Sequence, residues 1–484
     1  MTTATTFSIT ATIDGGRIRL STPFRLKDRV KALPGARWDA RRRQWHVPAT
    51  PAAAKAVCEL VGDAASLAVR ELAERADLVA GIKGRPEDLE PIPNARTKPW
   101  THQLIGYHMI ASQPAAMLAY DMGTGKSKVI VDATVNLQDV RTVLICCPSS
   151  VVDVWPGEFA KHAPGAEIDV IPLRTGSTTE RARTMNHGIE LANARNRKAV
   201  AVVNYEAAWR GDLAKLITAR LWDMVVCDEI HRIKSPSGQA SKFMAKVKAA
   251  HRVGLTGTPM PHSPLDVYAQ YRFLDPGIFG TSFVRFRGRY AVMGGFQQHQ
   301  VIGYQHHEEL QEKFYSIAHR VKKTDVLDLP EVIHETRTVE LRGEAHRLYY
   351  ELENEFISEV AGGTVTAANA LARLLRLQQI TSGFAALEDG QIVPVDVEKR
   401  KVLGEILDDL PNDEPLAVFC RFRNDLDVIQ AEAEAAGRSC MELSGRTNQL
   451  AEWQRAEGGE VLAVQIQAGG VGIDLTRAAY CVYY

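Results

Sequence analysis

The sequence predicts an α/β protein, with two parallel-sheet lobes preceded by a small α+β module. Three observations carry that expectation. From Pro99 onward, short apolar runs of strand length alternate with helically spaced stretches, the pattern of a parallel sheet covered by helices. The first sixty residues instead alternate polar and apolar positions around Asp14-Gly15-Gly16, a hairpin signal. And 484 residues exceed what one core supports, so two or three domains are expected.

Residues 1–60 form the first region. FSITATIDGGRIRL reads as a hairpin, PFRLKDRVKAL as a helix, RRRQWHVP as a further strand and Ala52 to Leu60 as a second helix. The stretch GARWDARRRQWHVP sets Arg37, Arg41, Arg42 and Arg43 between Trp38 and Trp45. Arginines beside aromatics suit phosphate contact with base stacking. Two tryptophans packing a small core beneath solvated arginines would give the same pattern. Residues 61–98 turn charged and then rich in Pro, Gly and Asn, which reads as a linker.

Residues 99–328 carry the strand candidates AAMLAY, TVLICCP, AVAVVNY, DMVVCDE and RVGLTGT, and residues 329–484 carry PLAVFCRF and EVLAVQI. The turn DMGTGKS lies between AAMLAY and the helix candidate KSKVIVDATVNL. Backbone N–H groups of such a turn, with a helix N-terminus, hold phosphate oxygens. Gly123 and Gly125 would admit the anion closely, with Thr124 between them. Lys126 would reach the β- and γ-phosphates, and Ser127 would hold Mg²⁺. The strict phosphate-loop pattern asks for glycine where Tyr120 stands. Downstream, the apolar strand Met224–Cys227 ends in Asp228-Glu229. A carboxylate there meets the need for a second metal contact, so Asp228 is read as a metal ligand and Glu229 as the base for an attacking water.

Lys+Arg and Asp+Glu are both 58, so bulk charge neither demands nor excludes a nucleic-acid partner. The seven cysteines are odd in number and include no C-x-x-C pair, so reduced core cysteines are expected and a zinc site is not. No run reaches the ~18 apolar residues of a membrane span, and the N-terminus lacks a leader pattern, so a cytoplasmic protein with no membrane partner is expected.

D-M-G-T-G-K-S, D-E-I-H and G-L-T-G-T-P, in that order, resemble the superfamily-two helicase-like ATPases. PWTHQLIGYHMI, TVLICCPSSVVDVWPGEF, GLTGTPMPHSPLDVYAQYRFLDPGIFG, KKTDVLDLPE, LLRLQQITSG and VQIQAGGVGIDLTRA resemble more narrowly the Swi/Snf-type double-stranded DNA translocases, over about residues 99–484. The resemblance implies two RecA-like lobes and an ATP-dependent DNA translocase acting on double-stranded or branched DNA. By the same resemblance, Gln103 contacts the adenine, while His231, Thr256, Gly257 and Thr258 couple ATP state to DNA. Gly470, Gly472 and Asp474 face the cleft between the lobes, with Gly472 and Asp474 at the nucleotide, and Ser149, Arg232, Lys234 and Arg421 meet nucleic acid. PFRLKDRVKALPGARWDARRRQWHVP is similar to the DNA-structure-binding domain of HARP-type annealing helicases.

Departures from the family pattern set further expectations. Ile230 stands where alanine or glycine is usual and is tolerated if it points into the core. Asp474 stands where many relatives carry asparagine. The sequence stops at CVYY, before the Q-x-x-G-R-x-x-R segment, so an incomplete second lobe with weak hydrolysis is expected. An ATP-binding switch on nucleic acid with little hydrolysis and an RNA helicase both stay open at this point.

Overall fold

The computed structural model describes residues 9–14, 17–33, 35–295, 300–328, 330–361, 367–387, 391–469 and 473–484. Two compact units, Met1–Leu329 and Pro330–Tyr484, divide the chain.

The N-terminal module is an antiparallel sheet of β1 (Thr10–Asp14), β2 (Arg17–Ser21), β3 (Arg37–Asp39) and β4 (Gln44–Pro48), in the order β1-β2-β4-β3. Asp14 pairs with Arg17, which fixes a register that puts Ala11, Ile18, Leu20 and Val47 into one core. Val30, from the helix Lys27–Lys31, and Val57, from the helix Pro51–Val61, cover that face. The second of these helices starts at Thr50, whose hydroxyl accepts from Ala53 N at 3.2 Å, with Pro51 in the first turn.

Residues 61–98, expected as a linker, hold an 18-residue helix, Leu67–Gly84. Its first half buries Val69 and Ala73 in the module core. Its second half packs Val79 and Ile82 on Ile105 and Met109 of the helix Thr101–Ser112. Lys83 Nζ donates to Tyr315 O at 2.9 Å and to Ala318 O at 2.7 Å. The helix is therefore a strut joining the module to the following sheet. Its apolar residues serve two cores in succession, so they draw no single stripe along the sequence.

That sheet has seven strands, all parallel: β5 (Ala115–Tyr120), β6 (Thr142–Cys147), β7 (Ile168–Pro172), β8 (Lys198–Asn204), β9 (Leu221–Asp228), β10 (Lys248–Leu255) and β13 (Ala318–Val321). Their order is β13-β5-β10-β9-β6-β8-β7. The five expected strands form its centre, where β5 and β6 are buried throughout, as an all-parallel sheet with both faces covered requires. The hairpin β11 (Ala291–Gly294) and β12 (Gln300–Tyr304) precedes the edge strand β13.

The second unit opens with the helices Gly343–Ala361 and Ala367–Thr381 and the hairpin β14 (Phe384–Ala386) and β15 (Ile392–Pro394). A parallel sheet follows, of β16 (Leu416–Cys420), β17 (Cys440–Leu443), β18 (Val461–Gln465) and β19 (Tyr480–Tyr483), in the order β17-β18-β16-β19. Leu403, Leu407, Leu426 and Ile429 cover Leu416, Val418 and Val461. Both larger units are α/β with parallel sheets. Among the described residues, no helix is long and apolar enough to cross a membrane.

Candidate nucleotide-binding site

Sheet order builds this site. β10 lies between β5 and β9, with Leu255 in register with Leu118 on one side and Asp228 on the other. Three segments, 121–125, 228–231 and 256–258, therefore leave the carboxyl edge of the sheet side by side, where open parallel sheets hold ligands.

The turn after β5 opens the helix Lys126–Asn136. Gly123 has φ +82° and Gly125 φ +80°, the left-handed backbone that only glycine adopts without strain. Thr124, wholly buried, donates from its hydroxyl to Asp121 O at 2.7 Å. Gln103 closes over the turn: its Nε2 donates to Thr124 O at 3.1 Å and its Oε1 accepts from Trp100 N at 3.0 Å. His102 Nε2 donates to the same Thr124 carbonyl at 2.8 Å. Lys126 Nζ donates to Tyr120 O at 2.9 Å and Asp121 O at 3.2 Å. Burial pushes its ammonium below the usual lysine range, and the charges of Glu229, Asp228 and Asp121 act against that shift. Ser127 follows in the first turn of the helix, half-buried.

Asp228 and Glu229 are both 8% exposed. Burial, and next the neighbouring Glu229 charge, push the Asp228 carboxyl up to about 7. The Trp155 indole faces that carboxylate and favours its charge, yet its N–H makes no hydrogen bond. A buried carboxyl short of positive charge is a donor suited to a divalent cation. Burial raises Glu229 as well, but His231, at 3.2 Å, and Lys126 outweigh it and hold this carboxyl below its ordinary value. Glu229 has φ +48° and ψ +54°, a conformation costing a side-chain-bearing residue about 1–3 kcal/mol. It is held there by Glu229 N to Asp228 Oδ1 at 3.0 Å, Tyr205 OH to Asp228 O at 2.8 Å and Arg232 N to Glu229 O at 2.9 Å.

His231 Nδ1 also lies 2.9 Å from Thr256 Oγ1, which accepts from Thr258 N at 3.0 Å. Gly257 lies against the backbone of Tyr120 to Met122. Ile230 is fully buried in the core and reaches Gly254, as its tolerance in that position requires.

Of the residues expected at a nucleic acid, Ser149 is exposed in the turn after β6. Arg232 and Lys234 line a cavity of about 340 Å³ with Tyr205, Glu206, Trp209 and His231, and Arg232 pairs with Glu206 at 3.5 Å. In the second unit, Arg421 is exposed with its guanidinium 5.8 Å from the Phe422 ring, and Asp474 Oδ1 accepts from Thr476 N and Oγ1 at 3.0 and 2.6 Å. Gly470 and Gly472 lie outside the described residues. In the module, Trp45 packs against the core, while Trp38, at 52% exposed, meets the Trp45 ring edge-on at 5.6 Å between centroids; Arg37, Arg41 and Arg42 are exposed. The core-packing reading of that stretch therefore holds for Trp45, and Trp38 lies outside that core. Sequence reasoning missed His102, Trp155 and Tyr205. Of these, only His102, next to Gln103, carried any local signal.

The sequence pattern of the SNF2-related domain matches residues 35–383. The chain is 26% identical over 388 residues to the putative protein p41 of Acyrthosiphon pisum secondary endosymbiont phage 1, covering 74% of this chain and 78% of that one. It is 24% identical over 379 residues to an uncharacterized ATP-dependent helicase of Mycoplasma pneumoniae, covering 76% of this chain and 35% of that protein. A DNA excision repair protein ERCC-6-like from Mus musculus is 29% identical over 196 residues, 38% of this chain and 15% of its own. The chain therefore spans well under half the length of the latter two relatives. Among solved structures, the Sulfolobus solfataricus SWI2/SNF2 ATPase core in complex with dsDNA aligns with 82% of this chain and 84% of its own at 22% identity, with a TM-score of 0.44.

Proposed function

This chain belongs to the SNF2-related domain family of helicase-like ATPases, and on that premise we propose that it is an ATP-hydrolysing motor that moves along double-stranded DNA. The observation that carries the reading is the convergence of Lys126, Asp228, Glu229 and His231 at the carboxyl edge of β5 and β9.

ATP phosphates would lie on the N–H groups of Gly123 to Ser127, at the positive end of the helix Lys126–Asn136. Lys126 would exchange its two carbonyl partners for phosphate oxygens. Gln103 would present its amide to the adenine. Ser127 and Asp228 would hold Mg²⁺, which neutralises developing phosphate charge. Glu229, kept ionised by His231 and Lys126, would take the proton of the attacking water. Its bond partner His231 reaches Thr256, so a change at Glu229 is felt in the segment Thr256–Thr258. The cavity of Arg232 and Lys234 follows β9 and the exposed Ser149 follows the neighbouring β6, and both would face DNA phosphates; Arg421 would do so from the second unit. Exposed Trp38 with its arginines would add contacts to branched DNA. Contacts of this kind are sensitive to salt and weakly dependent on sequence. The protein would work in the cytoplasm, associated with the nucleoid.

ATP turnover measured with duplex DNA, branched DNA, single strands and RNA tests the reading. Duplex or branched DNA is expected to raise turnover most. Stimulation by RNA alone would replace this reading with an RNA helicase, and binding of ATP without turnover would replace it with a switch.

A further inference from the structure

Tyr120 stands where a strict phosphate loop carries glycine, and its side chain is fully buried rather than displaced. Its hydroxyl donates to His102 O at 2.7 Å and lies 2.8 Å from His319 Nδ1. A phenol has one proton, so His319 must supply the second bond from Nδ1–H. The next link runs forward, since His102 Nε2–H donates to Thr124 O inside the phosphate loop. Both imidazoles stack edge-on against the Tyr120 ring, at 5.6 and 5.3 Å between centroids. Burial lowers both imidazoles, His319 to about 4, which keeps them neutral donors at ordinary pH.

Asp121 repeats the connection on the backbone side. Its N–H donates to Val321 O at 3.0 Å, and its Oδ2 accepts from Lys323 N at 2.9 Å. All of these partners, His319, Val321 and Lys323, belong to β13 and the residues just after it, about 200 positions from the loop. Lys83 of the strut helix bonds Ala318 O at the start of the same strand. The strand thus has the strut at one end and the phosphate loop at the other.

We propose that β13 is a positioning element of the nucleotide site, setting the geometry of the phosphate loop through Tyr120 and Asp121. The inference rests on the reading of this loop as an ATP site. Tyr120 and Asp121 are positioning residues: they act through His102, Thr124 and the backbone of the turn. A left-handed glycine at Gly123 and another at Gly125 leave the turn free to adopt other conformations, and these bonds restrict it to the one that points its N–H groups at a phosphate.

The test is titration of the full chain with a fluorescent ATP analogue and Mg²⁺, alongside thermal unfolding. Tyr120→Phe removes both hydroxyl bonds with little change of shape. Lys323→Pro removes the N–H that the Asp121 carboxylate accepts. Lys323 begins the helix Lys323–Val326, and Lys322 before it has φ −90° and ψ 144°, a setting that accepts proline. Lys323→Pro is expected to weaken analogue binding about fivefold, the factor typical of one net hydrogen bond, and Tyr120→Phe, which removes two, by about 5–25-fold. Lys323→Ala, which keeps the N–H, is expected to bind as the wild type does. Unchanged binding by Tyr120→Phe and Lys323→Pro, with or without a lower melting temperature, would overturn the inference alone. Equal losses in Lys323→Ala and Lys323→Pro would also overturn it, since the side chain would then be responsible. A wild-type chain that binds no analogue would overturn the ATP reading itself, and this inference with it.

Discussion

Gly125→Ala should damage the nucleotide site far more than Gly123→Ala, although the two glycines have nearly the same φ, +80° and +82°. A side chain in left-handed backbone costs about 1–2 kcal/mol at either position. At Gly123, an added Cβ meets nothing within 4 Å. At Gly125, it would overlap Gln103 Nε2, so Gln103 has to leave. Leaving breaks its bonds to Thr124 O and from Trp100 N, each worth about 1 kcal/mol net and more if the buried groups stay unpaired. The Gly125→Ala total is then roughly 3–5 kcal/mol. If that loss falls on the geometry that holds phosphate, nucleotide Kd rises by about a hundredfold or more, against about tenfold for Gly123→Ala. Isothermal titration with a non-hydrolysable ATP analogue reads both. In a Gln103→Ala background, Gly125→Ala should cost only the backbone strain. Equal losses for the two glycine variants, in the presence of Gln103, would refute the packing of Gln103 on the loop.

Three further outcomes follow from the same geometry. Glu229→Gln should lower kcat about 10²–10⁴-fold with KM nearly unchanged, because it removes a proton acceptor and keeps the side-chain shape; steady-state ATPase kinetics check this. Burial lowers His46, His162 and His319 to about 4. The unfolded chain then binds more protons than the folded one between pH 6.5 and 4, so the stability these residues contribute is present above pH 6.5 and lost as pH falls through that window, which melting temperatures across the range will show. Ile82→Ala should destabilise the packing of the strut by about 2–4 kcal/mol and make residues 61–98 susceptible to limited proteolysis that the wild type resists.

The elements that were legible in the sequence are those whose signal is local. β5, β6 and β8 are buried on both faces almost throughout, and β9 and β10 are buried toward their carboxyl ends, so each carries a local apolar run. The glycine turn and the Asp228-Glu229 pair were legible because chemistry fixes their residue types at strand ends. What escaped is non-local. The edge strand β13, AHRV, carries a histidine and an arginine in four residues and earns its place only by pairing with β5. The strut Leu67–Gly84 divides its apolar residues between two cores, so its charged face dominated the reading. β17, CMEL, and β7, IDVIP, are sheet edges with incomplete burial. The meaning of Tyr120 was hidden for the same reason: its partner His319 is 199 residues away. Seen locally, the tyrosine was a missing glycine; in the fold it is a buried hydrogen-bonding residue beneath the loop.

The most direct measurement is ATP hydrolysis by the full chain, with and without duplex DNA, beside Lys126→Ala. The account predicts turnover that duplex DNA stimulates and that Lys126→Ala abolishes, since the loop would lose its one lysine aimed at the phosphates. Turnover that survives Lys126→Ala, or a wild-type chain that no duplex stimulates, would contradict it.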